Sequence, residues 1–118
     1  MRHHKKVKKL HKKTGQRRAF IRVLAQNLIR DEKIKTTKVR AQVVKAFVER
    51  LVTLAKTQNL AKRRLVIARL GGNKKLGNKL FDVIAPRYLN RKGGYLRMIK
   101  LAETRKRDAA PQVILEFV

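Results

Sequence analysis

The sequence predicts an α+β domain of two layers, with helices packed on one face of a small three-stranded sheet in the order α-β-α-α-α-β-β. Three observations carry that expectation. Apolar residues recur at helical spacing through most of residues 14–84. A short alternating stretch rich in threonine, Glu32–Thr37, interrupts them. After Pro86 the apolar period changes to two, over Tyr95–Glu103 and again over Gln112–Val118. The domain is expected to span residues 14–118, behind a basic arm at 1–13 that orders only along a partner.

Thr14 and Gly15 open the first helix. Phe20, Leu24 and Leu28 repeat every four residues beside Ile21, Ala25 and Ile29. Arg18, Arg22, Gln26 and Arg30 form a polar stripe about 18 Å long on the same helix. After the strand at 32–37, Thr36 or Thr37 is placed to cap a second helix. That helix shows Val39, Val43, Phe47, Leu51 and Leu54 on one side and runs to about Thr57. Asn59 caps a third, with Leu60, Ala61, Leu65 and Ala68 as its apolar set, and Gly71-Gly72 stops it. Asn73 starts a fourth, which turns Leu76, Leu80, Val83 and Ile84 inward and ends before Pro86. Val113, Leu115 and Phe117 line one face of the last strand, and residues 104–111 form the hairpin loop before it.

Charge decides the class of partner. The chain carries 33 lysines and arginines against 7 acidic residues, a formal charge of +26 on 118 residues. The first acidic residue is Asp31, after eleven basic ones. A compact domain cannot balance that surplus internally, and a phosphate backbone with its releasable counterions is the natural complement. At 43% apolar the chain still holds enough for a modest core, so it is more than a basic tail. Cysteine and serine are absent, which excludes disulfides and cysteine-held metals and argues against a serine-rich presequence. No apolar run suits a membrane span or a signal peptide, so a cytoplasmic protein used from its first residue is expected.

Catalysis has little material. His3, His4 and His11 all fall in the arm, the carboxylates are scattered, and no phosphate-binding glycine loop of the nucleotide-binding kind occurs. Neither catalytic residues, a metal, a cofactor nor a small-molecule substrate is expected. The four phenylalanines fall at core-like positions, leaving Tyr88 and Tyr95 as aromatics able to meet bases. Arg87-Tyr88 and Arg91–Tyr95 form a loop where glycine admits close approach of a phosphate or sugar. Recognition by shape and phosphate contact follows. A DNA-compacting protein is the alternative, although no dimerising surface or wedge residues support it. A secreted membrane-active protein is disfavoured by the absence of a signal peptide.

MRHHKK, QRRAFIRVLAQNLIRDEKIKTTKVRA, LFDVIAPRYLNRKGGYLRMIKL and the closing VILEFV resemble the L-seventeen family of bacterial large-subunit ribosomal proteins, across residues 1–118. Arg30–Thr37 and Pro86–Lys100 are the most specific pieces. The resemblance implies the same element order, binding of large-subunit ribosomal RNA near the exit of the nascent-peptide tunnel, and contact with neighbouring large-subunit proteins. It places Arg2, His3, Lys5, Lys6, Lys8 and Lys9 of the arm along RNA, with Arg17, Arg18 and Arg22 of the first helix. Arg87, Tyr88, Arg91, Gly93, Gly94, Tyr95 and Arg97 follow from the later motif. Lys12, Lys13, Lys35, Lys38 and Lys92, basic residues in or beside the same segments, complete the candidate RNA contacts. His4, Gln16 and Lys92 depart from the family's usual arginine, histidine and proline.

Overall fold

The computed structural model describes residues 9–118. Helix α1 covers Thr14–Asp31, strand β1 Lys33–Thr37, and helix α2 Lys38–Ala55. Helices α3 (Leu60–Arg69) and α4 (Lys74–Lys79) follow, then a π-helical turn at Leu80–Ile84 and a 3₁₀ turn at Ala85–Tyr88. Strands β2 (Leu96–Thr104) and β3 (Pro111–Phe117) close the chain. The sheet is antiparallel in the order β1-β3-β2, with Ile34 and Met98 both opposite Leu115. Val113, Leu115 and Phe117 of the central strand face the helices and are buried with Val44, Val48, Leu51 and Val52 of α2. The other sheet face carries Arg97, Ile99, Ile114 and Glu116, and no helix of the described residues covers it: two layers, as expected.

Local chemistry explains the joints. Asn59 Oδ1 accepts from the backbone N–H groups of Ala61 at 2.8 Å and Lys62 at 3.4 Å, and Asn73 Oδ1 from Leu76 N–H at 3.1 Å. Gly71 and Gly72 end α3 at φ +77° and +81°, and Gly72 N–H reaches back to Ile67 O at 2.8 Å. Thr37 does occupy the residue before α2, but its side chain makes no capping bond. Glu32, expected as the first strand residue, is instead the left-handed cap of α1 at φ +63°.

The buried faces differ from the expected ones for one geometric reason. A step of four residues advances around a helix by about 40° beyond a full turn, so a row of such steps drifts off the core. Phe20 and Leu24 are accordingly only half-buried, while Ala25, Leu28 and Ile29 are fully so. In α2 the buried set is Ala41, Val44, Val48, Leu51, Val52 and Ala55, and Val39 is exposed. Helix α3 is apolar on two sides. Val66 and the following Leu70 meet the core, whereas Leu60 (63% exposed) and Leu65 do not. Close docking on α4 selects that side: a Cβ at Gly77 would stand 2.5 Å from Ile67 Cγ1.

The fourth helix also does not simply stop before Pro86. Ala85 N–H bonds Leu80 O, widening the last turn, and Pro86 then enters the first turn of the 3₁₀ segment, where its missing N–H costs nothing. Phe81 and Ile84 turn inward with Leu80, while Val83 points out.

Candidate nucleic-acid interface

Most of the few carboxylates are engaged within the molecule. Among the described residues, Asp31, Glu32, Asp82, Asp108 and Glu116 all take part in ion pairs. Glu32, at the end of α1, holds Arg87 of the 3₁₀ turn and lies 3.9 Å from Lys79 of α4. The hydrogen bond from Arg87 keeps the Glu32 carboxyl below the usual carboxylate range, against the opposing effect of partial burial. Arg97 Nη2 sits 2.6 Å from Glu116 Oε1 on the neighbouring strand. Arg63 reaches Asp82 at 3.1 Å and also lies over the Phe81 ring, tying α3 to the π turn. Two candidate RNA contacts, Arg87 and Arg97, are therefore already engaged in joints of the fold, though both stay open to solvent.

Tyr88 and Tyr95 are not surface aromatics. They are 4% and 1% exposed, and their ring centroids lie 5.3 Å apart. The Tyr88 hydroxyl donates to Val118 O at 2.9 Å, and burial raises its pKa. The Tyr95 hydroxyl receives Lys56 Nζ at 3.1 Å and Thr53 Oγ1 at 3.4 Å. Burial would raise that phenol, but these hydrogen bonds and the Lys56 charge outweigh it and lower its pKa. Neither ring is therefore free to stack on a base, in keeping with recognition by phosphate and shape contact. An aromatic beside a basic loop suggests exposure, but each ring fills the space between the sheet and the helices, and its hydroxyl is satisfied there. The loop between them is exposed. Gly94 turns at φ +63°, Arg91 Nε donates to Gly93 O at 3.2 Å, and Lys56 Nζ anchors Arg91 O at 2.5 Å. Arg91, Lys92, Gly93 and Gly94 face solvent.

Two grooves gather six of the eight remaining candidates among the described residues. The first, of about 880 Å³, lies between residues 9–13, the start of α2 and the base of the β2–β3 loop. It brings together Lys9, Lys12, Lys13 and Lys38 with Arg40 and Arg105. Phe20, expected in the core, lies beside it with Lys12 Nζ 4.8 Å and the Arg40 guanidinium 4.9 Å from its ring centre. The second groove, of about 610 Å³, lies where α1, α2 and the end of α3 meet. Arg18, Arg22, Arg50 and Arg69 rim it over Ile21, Phe47 and Leu51. None of these four arginines is ion-paired among the described residues.

Side-chain positions in the second groove are fixed by the fold. Arg22 Nε donates to Arg69 O at 3.2 Å, Gln26 Nε2 to Leu70 O at 2.7 Å, and Arg50 Nε to Ala46 O at 3.2 Å. A Cβ on Gly71 would stand 2.9 Å from Arg22 Cδ, so this glycine both turns the chain and leaves room for the arginine. Arg40, Arg50 and Arg69 are not foreseeable from the sequence, because no spacing links them to α1. Arg17 is half-buried at the start of α1, and Lys35 stands on the open sheet face, outside both grooves. Arg2, His3, Lys5, Lys6 and Lys8 lie outside the described residues.

The fold and its charges together define a two-layer basic domain with mostly paired carboxylates and clustered unpaired cations among its described residues. Among the described residues no group of three or more histidines, cysteines or carboxylates could hold a metal, and no helix is long and apolar enough to cross a membrane. The family model described as ribosomal protein L17 matches residues 20–118, so the chain belongs to that family. It is similar over its whole length to the large ribosomal subunit protein bL17 of Persephonella marina, at 48% identity and 95% of that protein. The bL17 proteins of Thermus thermophilus and Dictyoglomus turgidum are each 45% identical over all of this chain, which covers 99% and 100% of them. Membership makes the chain a structural component of the large ribosomal subunit in bacterial translation, not an enzyme.

Proposed function

We propose that the chain binds and stabilises large-subunit ribosomal RNA through phosphate and shape contacts, in the cytoplasm. The observation that carries this reading is the partition of charge. Five of seven acidic residues are engaged in ion pairs, while Arg18, Arg22, Arg50 and Arg69 share a groove with no carboxylate. Residues 1–13 act as an arm along the same polyanion, and residues 14–118 form the domain that anchors it. The resemblance supports a site near the nascent-peptide tunnel exit, beside neighbouring large-subunit proteins. The test is cosedimentation with large subunits at moderate salt, with and without ribonuclease, paired with RNA binding across a salt series. Release on ribonuclease treatment is expected. Removing residues 1–13 should reduce the log–log salt slope by about 0.7–0.9 for each phosphate that the arm neutralises. Retention on subunits after their RNA is digested, with an unchanged slope, would refute the reading.

A further inference from the structure

We infer that the Arg18/Arg22/Arg50/Arg69 groove receives an extruded nucleotide of a bulged or looped RNA, its flanking phosphates on the guanidinium groups and its base on the floor. The inference rests on the RNA-binding reading and goes further, because it names the nucleotide geometry that is selected. Paired RNA presents phosphates and sugars, which have no use for an apolar surface beneath the cations. This groove has one: Ile21 and Phe47 line it between arginines contributed by α1, α2 and α3. A volume of about 610 Å³ exceeds what a phosphate alone requires and leaves space for a base and its sugar. Two of the cations are also tethered through Nε, Arg22 to Arg69 O and Arg50 to Ala46 O, which leaves their Nη groups at the groove without a partner among the described residues. A guanidinium plane or an aromatic ring beside an unstacked base is a sequence-tolerant contact, which suits a chain that reads shape.

The experiment compares two short RNA stems with the full chain at one salt concentration. One stem is fully paired, and the other carries a single extruded 2-aminopurine. The bulged stem should bind about tenfold more tightly, and the fluorescence of the 2-aminopurine should change on binding. Replacing Arg50→Gln together with Arg69→Gln should leave the melting temperature unchanged and erase the preference. Replacing Arg64→Gln together with Arg107→Gln, exposed arginines outside the groove and without ion pairs among the described residues, should weaken both stems equally and keep it. Equal affinity of the parent chain for the two stems overturns the inference, whether the groove then holds paired backbone or an acidic segment of a protein neighbour. Failure to bind either stem removes the RNA-binding reading itself, and the groove's assignment with it.

Discussion

Gly71 and Gly72 offer a matched pair of perturbations. Both sit at positive φ, +77° and +81°, and both close the end of α3 through their N–H groups, to Ala68 O at 3.1 Å and Ile67 O at 2.8 Å. Alanine keeps those bonds but meets the left-handed penalty of about 1–2 kcal/mol at either position. For a chain of this size that corresponds to roughly 4–8 °C in melting temperature. The sites differ in one respect. A Cβ at Gly72 meets nothing within 4 Å, whereas at Gly71 it stands 2.9 Å from Arg22 Cδ. That contact is with the distal part of a flexible side chain, so Arg22 moves instead of the backbone. Its bond to Arg69 O, worth about 0.5–1 kcal/mol at an exposed site, breaks as the side chain leaves the groove. Gly71→Ala and Gly72→Ala should therefore melt within a few degrees of each other, while only Gly71→Ala weakens RNA binding and lowers the salt slope by about 0.7–0.9. Circular dichroism melts and a filter-binding salt series provide both readings. Equal RNA binding by the two variants would refute the claim that Gly71 seats Arg22.

Three other expectations follow from the packing and the ion pairs. Gly77→Ala sets about 1–3 kcal/mol of overpacking against Ile67 in opposition to about 1 kcal/mol of helix propensity, for a net loss of about 1 kcal/mol. Trimming Ile67→Ala in the same chain should relieve the clash, so the double variant is more stable than the sum of the singles, as thermal melts would record. Tyr88→Phe removes the buried bond to Val118 O and should cost about 1 kcal/mol with no change in RNA affinity; a loss of affinity without a loss of stability would return Tyr88 to the RNA surface. Glu32 has its folded pKa depressed, so the stability it contributes is complete above its unfolded pKa and fades as pH falls through the folded value. Glu32→Gln should thus melt below the parent near neutral pH and converge with it in acid, and parallel curves throughout would show that the carboxylate adds nothing.

What the sequence made legible was local. Asn59, Asn73 and Gly71-Gly72 act within a turn of their own positions, and the chain honours each of them. The later strands fall within a residue of their expected limits because a period of two leaves little freedom of face. What was not legible is pairwise and distant. The choice between two apolar sides of α3 depends on how closely α4 approaches at Gly77, and the fate of Arg87 depends on a carboxylate at Glu32, far away in sequence. The arginine groove is the clearest case, since Arg18 and Arg22 announce themselves on α1 while Arg50 and Arg69 join them only when α2 and α3 arrive.

The same distant pairings answer how so basic a chain can hold together. Its carboxylates are not spread evenly through the positive field. Glu32 stands between the end of α1, Lys79 of α4 and Arg87 of the 3₁₀ turn, Asp82 between α3 and the π turn, and Glu116 between two strands. At Glu32 the fold brings two cations close and one carboxylate offsets their repulsion, while Asp82 and Glu116 each pair a cation across a joint, where a short distance and partial shielding make one charge most effective. Exposed pairs of this kind add little stability singly. Their placement nevertheless leaves Arg18, Arg22, Arg50 and Arg69 without an ion-pair partner among the described residues, on a surface the fold has already shaped, and on the proposed function a polyanion supplies the missing charge there. Local neutralisation at the joints and an open cationic rim at the groove are two consequences of one arrangement of seven acidic residues.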